Sequence, residues 1–226
     1  MTPTTKFKAA LCGLALITAA ALPVNAATAA PQAAAQAVSA EAIAASKPVP
    51  KLGYSTQTLK TLNIDFQYQQ TGYWCGPAAT RIALSARISP PSQQQLANEL
   101  PTTTNGTDWI GQVTRVLNNH LGTGWYETKE MPNDPPTQAQ RDLLWRDVVL
   151  DINNNYPIVA NIVAPASNHP PGYPNYTIYH YFTVIGYDDS DQTVLIADPA
   201  GFAPTATYWL TFNQLATLIP PKGYSA

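Results

Sequence analysis

Gln69-Gln70-Thr71-Gly72-Tyr73-Trp74-Cys75-Gly76-Pro77-Ala78-Ala79-Thr80-Arg81-Ile82-Ala83-Leu84-Ser85-Ala86 is the stretch on which the reading of this 226-residue chain turns. A polar run containing glycine gives way at Cys75 to a proline followed by good helix formers. Proline is favoured in the first turn of a helix because the N–H it lacks would be unpaired there in any case. A helix is therefore predicted to start at or just past Cys75. A helix N-terminus carries partial positive charge and unpaired N–H groups, and both stabilise a thiolate. Gly76 permits close backbone approach, as a reacting carbonyl needs, although a tight loop-to-helix entry uses the same glycine.

Upstream, Leu62-Asn63-Ile64-Asp65-Phe66-Gln67-Tyr68 alternates in the manner of a short strand. Downstream, three further helices are predicted: 92–100 after a Ser92 cap, 108–121 with Ile110, Val113, Val116 and Leu117 on one face, and 137–153 with Leu143, Leu144 and Val148. After Tyr156 the character changes. Segments 157–163, 180–187, 193–197 and 205–210 are rich in β-branched and aromatic residues, and a hairpin is expected at Asp188-Asp189-Ser190-Asp191. Helices followed by sequential strands predict an α+β fold, with a helical first half and a mostly antiparallel sheet in the second.

Toward the N-terminus, Lys6 and Lys8 precede an uncharged apolar run over 9–22 and then Val24-Asn25-Ala26, the pattern of a Sec signal peptide at 1–26. That run is shorter than the ~20 residues a spanning helix needs, so the expectation is export with no membrane association after cleavage. Cys12 lies inside the apolar run rather than after it, which argues against a lipid-modified cysteine. Residues 27–58 are rich in Ala, Gln, Ser and Pro and cannot bury a core, so they read as a linker or short propeptide, leaving one domain at 59–226. With a formal net charge of -2, 12% charged residues and no Lys/Arg cluster, a nucleic-acid partner is not expected.

Cleavage of the signal would leave Cys75 as an odd cysteine in an oxidising compartment, which suits either a packed thiol or a reactive one. A thiolate engaged in acyl transfer wants an imidazole beside it, and the chain has three histidines. His120 ends a predicted helix, where a cation is favourable without further function. His169 lies in a proline-rich loop suited to a solvated side chain. His180, in Tyr179-His180-Tyr181-Phe182-Thr183-Val184, starts a strong strand where packing can fix its ring. If the hairpin centres near Asp189 or Ser190, cross-strand partners sum to about 378 to 380, and His180 and Asp198 fall on one face. A one-residue slip would separate them, and Asp198-Pro199 also suits a plain turn. Gln67, Gln69 and Gln70 are all candidates for a side-chain oxyanion donor beside the Cys75 N–H.

Three segments, Gln69 to Cys75-Gly76-Pro77-Ala78, Tyr179 to Asp188, and Val194-Leu195-Ile196-Ala197-Asp198-Pro199, resemble in order and placement the papain-like cysteine peptidases of the C39 type, specifically the exported C39-like peptidase family. The resemblance covers roughly 59–218. It implies a papain-like fold with Cys75 as nucleophile, His180 as base, Asp198 as orienting carboxylate and Gln69 as oxyanion donor. It also implies a peptide or protein substrate, a monomer and no metal or cofactor. Segment 212–218 stands where the family has its last helix, without a tryptophan expected there. An amidase or acyltransferase would share the same acyl-enzyme, and a binding protein using the aromatic loop 170–181 would share the same fold.

Overall fold

The computed structural model describes residues 59–226, so the signal peptide and the linker expected at 1–58 lie outside the described residues. The predicted helix begins at Cys75 itself: α1 spans Cys75–Ser85. Ala78, Ala79, Ile82, Ala83 and Leu84 have no exposed surface, and a helix apolar on every side belongs in a core. Its small side chains admit a strand so closely that the Thr183 hydroxyl donates to the Ala79 carbonyl at 2.9 Å.

Three further helices match their expected positions. Helix α2, Gln93–Glu99, is capped by the Ser92 hydroxyl. Helix α3, Ile110–Leu121, buries Ile110, Val113, Val116 and Leu117. Helix α4, Gln138–Asn153, opens on a capping box of Thr137 and Gln140. The short α5, Phe212–Leu218, follows a Thr211 cap.

The strands are β1 (Leu59–Thr61), β2 (Thr128–Glu130), β3 (Ile158–Ala164), β4 (Ile178–Asp188), β5 (Thr193–Ala197), β6 (Thr207–Thr211) and β7 (Gly223–Ser225). They form one antiparallel sheet in the order β2-β7-β3-β4-β5-β6, with β1 pairing the end of β4 beyond β3. Alternation along β3 and β4 divides the core. Val159 and Tyr181 face a cluster built by α1, α2 and α3. Ile158, Ala160, Ile162, Phe182 and Val184 face α4 and α5. Burying a large side chain such as Phe182 contributes roughly 2 kcal/mol, so it is the two covered faces that hold the sheet.

Two expectations are corrected. Segment 62–68 forms no strand, because after one bond from Leu62 to β4 its backbone groups go to side chains rather than to a strand ladder. Leu62 N–H donates to the Ile185 carbonyl, Asp65 N–H to the Ser85 hydroxyl, and the buried Arg81 guanidinium grips the Asp65 carbonyl and carboxylate. The hairpin also turns one position later than expected. Asp188, Tyr187 and Gly186 pair with Thr193, Val194 and Leu195, whereas Val184 and Thr183 pair with Ile196 and Ala197. The difference is a β-bulge that leaves Ile185 as the extra residue. Gly186 sits beside it because a Cβ there would lie 2.8 Å from the Lys60 carbonyl.

Candidate active site

Cys75 is the first residue of α1, and Trp74 at the cap position makes no side-chain capping hydrogen bond. Pro77 has no N–H, no acidic residue occupies the first turn, and the helix end is left to act on the thiol. Burial by itself pushes the Cys75 thiol up. The His180 hydrogen bond and charge, with N–H groups of Tyr181 and Gly76 directed at the sulfur, outweigh it and hold the thiol below its ordinary value.

His180 lies near the start of β4, opposite Ile162 of β3, and is 4% exposed. Its Nε2 meets Asp198 Oδ1 at 2.8 Å, which leaves Nδ1 for the Cys75 thiol. Desolvation opposes an imidazolium at this depth. The Asp198 carboxylate and the Cys75 thiolate more than offset it, and the His180 pKa is pushed up to about 10. Asp198 follows β5 and is 3% exposed; burial raises its pKa, but His180 and neighbouring donors bring it down to about 2. The three groups thus form a line in which an ion pair is the favoured state.

The bulge decides whether that line exists. Had the turn register continued unbroken, His180 would stand opposite Gly201, with Asp198 on the other face of the sheet. Past Ile185 the register is the even one expected from the sequence, and the two side chains meet.

Asp198 Oδ1 also accepts from the Ala200 N–H at 2.9 Å, while Oδ2 accepts from the Tyr173 hydroxyl at 2.8 Å and the Tyr208 hydroxyl at 2.5 Å. Sequence reading missed both tyrosines, because one sits in a proline-rich loop and the other looks like an ordinary strand aromatic. It missed Gln93 as well. That fully buried amide donates to the Tyr68 carbonyl and accepts from the Gln70 N–H, bracing the run that leads to Cys75. Gln69 N–H donates to the Pro199 carbonyl at 2.9 Å, tying this run to the turn that carries Asp198.

Gln67 accepts from Gln93 at 3.4 Å. The Gln69 Nε2 donates to the Thr71 carbonyl at 2.9 Å, and its buried Oε1 has no partner among the described residues. A primary amide has two N–H groups, so one remains for a further acceptor. Beside Cys75 opens a cavity of about 170 Å³ whose lining includes His180, Asn161, Asp108, Tyr179 and Lys222, and not Gln69. Its wall at Thr107 lies tight on the helix end: a Cβ on Gly76 would be 2.3 Å from the Thr107 hydroxyl oxygen. Of the remaining histidines, His120 pairs with Glu99 at 2.6 Å and His169 approaches the Tyr176 carbonyl at 3.2 Å, both away from the thiol line.

A thiol at a helix N-terminus, paired with a strand histidine and backed by a carboxylate across an antiparallel sheet, defines the papain-like class of cysteine peptidase folds. The chain belongs to the Peptidase_C39 like family, which it matches over residues 61–217. No curated protein matches it in sequence. Similar solved structures include the peptidase domain of Streptococcus ComA, a bifunctional ABC transporter of a quorum-sensing pathway, at 17% identity and TM-score 0.47, covering 73% of this chain and 98% of that one. They also include a C39-like peptidase from Bacillus anthracis at 15% identity and TM-score 0.47, covering 74% and 96%. A third is xylellain, a cysteine protease from Xylella fastidiosa, at 14% identity and TM-score 0.46, covering 74% and 85%.

Proposed function

We propose that this chain is an exported cysteine peptidase that cleaves a peptide bond through a Cys75–His180–Asp198 triad. The observation carrying the reading is the His180 Nε2 to Asp198 Oδ1 contact at 2.8 Å, made while the same ring is engaged with the Cys75 thiol. The Cys75 thiolate attacks the substrate carbonyl carbon, and the carbonyl electrons move to oxygen. The Cys75 N–H at the uncapped helix start stabilises that oxyanion, and the second N–H of Gln69 joins it. Collapse of the adduct expels the amine, which takes its proton from the His180 imidazolium and leaves a thioester on Cys75. Water then attacks the thioester, giving a proton to the now neutral His180, and the acid departs as the thiolate is restored. Asp198 keeps the ring oriented throughout, as the third member of such a triad does. Export rests on the composition of residues 1–26, and the substrate on the family.

The test is the cleavage profile of the purified mature protein on a diverse peptide library, with Cys75→Ala as the control. Cleavage by the wild type alone is the expected result. A wild type that cuts nothing, with a Cys75 unreactive toward alkylating agents, would overturn the proposal.

A further inference from the structure

The Asp198 carboxylate receives four hydrogen bonds, two on each oxygen, and only one of them comes from His180. A carboxylate offers about four lone-pair sites, so this one is filled. The two tyrosine donors arrive from separate parts of the fold. Tyr208 belongs to β6, the strand beside β5, and Tyr173 to the loop between β3 and β4. Tyr173 also sets its ring edge-on to His180, with centroids 6.1 Å apart, and against Phe202 at 5.0 Å. The loop is seated without room to spare. Gly172 has φ +77°, and a Cβ there would lie 2.3 Å from the Phe202 carbonyl oxygen, in contact with the turn that follows Asp198. Both phenols are pushed to high pKa, first by burial and then by the Asp198 charge, so they remain donors wherever the protein is folded.

We propose that Tyr173 and Tyr208 are positioning residues of the active site, their hydroxyls pinning the Asp198 carboxylate so that Oδ1 stays aimed at His180. This rests on the triad reading above. The terminal torsion of an aspartate is broad and roughly two-fold, so a carboxylate bonded through one oxygen can swing and carry its imidazole with it. Two donors on Oδ2 remove that freedom. They also stabilise the ionised form, which keeps Asp198 charged at acidic pH. The proline-rich loop that carries Tyr173 thereby becomes a working part of the catalytic line, although Tyr176 on its outer side faces solvent.

A bland alternative is that the hydroxyls only solvate a buried charge, which would cost stability when lost but leave the Cys75 thiol as reactive as before. The two are separated by the rate of Cys75 alkylation with iodoacetamide, followed from about pH 3 to 10 beside the thermal midpoint, a readout that needs no substrate. Tyr173→Phe and Tyr208→Phe, which keep the rings and remove one oxygen each, are expected to slow alkylation at neutral pH roughly 3- to 10-fold and to move the acid limb upward by about half a pH unit or more. Gly172→Ala, which touches neither Asp198 nor His180, is expected to reproduce the Tyr173→Phe profile. Phe variants with lowered midpoints but an unchanged rate and acid limb would overturn the proposal. A wild-type thiol that titrates like a free cysteine would instead remove the ion pair itself, and both readings with it.

Discussion

Cys75 is a buried thiol whose surroundings oppose one another, and the balance determines its chemistry. Burial disfavours the thiolate, whereas His180, the Gly76 and Tyr181 N–H groups and the open helix end favour it, and the favouring groups prevail. The expected consequence is fast alkylation of the wild type at pH values below the ordinary cysteine range. His180→Ala should slow it by about 100-fold at mildly acidic pH, where an unassisted thiol is protonated. Gln69 predicts a contrasting outcome. Alkylation forms no oxyanion, so Gln69→Ala should leave that rate unchanged while lowering kcat on a cleaved peptide by about 10²-fold, measured by steady-state kinetics. Equal loss in both assays would mean that Gln69 supports the thiol rather than the transition state. Cys75, His180 and Asp198 were legible in the sequence because each is a chemically distinctive residue at a readable place: a helix start, a strand start and an Asp-Pro turn. Tyr173, Tyr208 and Gln93 were not, since their roles come from tertiary neighbours 10 to 25 positions away. A tyrosine or glutamine carries no local sign of such a partner.

Periodicity revealed most of the elements, and where it failed the reasons are physical. Helices α1, α3 and α4 and strands β3 to β6 have enough residues to display a pattern, and the Ser92 cap marks the shorter α2. Strands β2 and β7 have three residues each, too few for alternation to stand out, and they pair with each other, and β7 with β3, only once the chain has folded. Segment 62–68 shows the reverse case, an alternating sequence whose backbone is claimed by Arg81, Ser85 and Gln93. The Ile185 bulge is the element-scale feature on which the site depends, because it converts the register set by the turn into the one that joins His180 to Asp198. Gly186→Ala tests it. The added Cβ would meet the Lys60 carbonyl at 2.8 Å and the Thr61 methyl at 3.0 Å, so β1 or the bulge must move. Overpacking of this kind costs about 1–3 kcal/mol, read from denaturant unfolding. The Cys75 alkylation rate is expected to fall further than the same destabilisation produces when introduced in α5, since β4, unlike α5, carries part of the site.

At the scale of the molecule, the Cys75–His180–Asp198 line draws on α1, β4 and the turn after β5, and a backbone bond from Gln69 to Pro199 ties the run leading into the first to the last. Site and fold therefore share one set of ionisations, and stability should report them. Asp198 is held down at about 2, so its contribution is present above its unfolded value near 3.9 and is lost as pH falls through about 2. His180 is held up at about 10, so its contribution is full below its unfolded value near 6.5 and is lost as pH rises through about 10. The Asp198–His180 pair accordingly stabilises the fold most between about pH 4 and 6.5, and less on either side. Comparing wild type with Asp198→Asn isolates this contribution, because the rest of the titrating surface is common to both. The difference in unfolding free energy should form a plateau over that window, on the order of 2 kcal/mol or more, and shrink toward both pH extremes. A difference that does not vary with pH would mean that Asp198 contributes through packing and hydrogen bonds alone, and that no charged histidine stands opposite it in the folded protein.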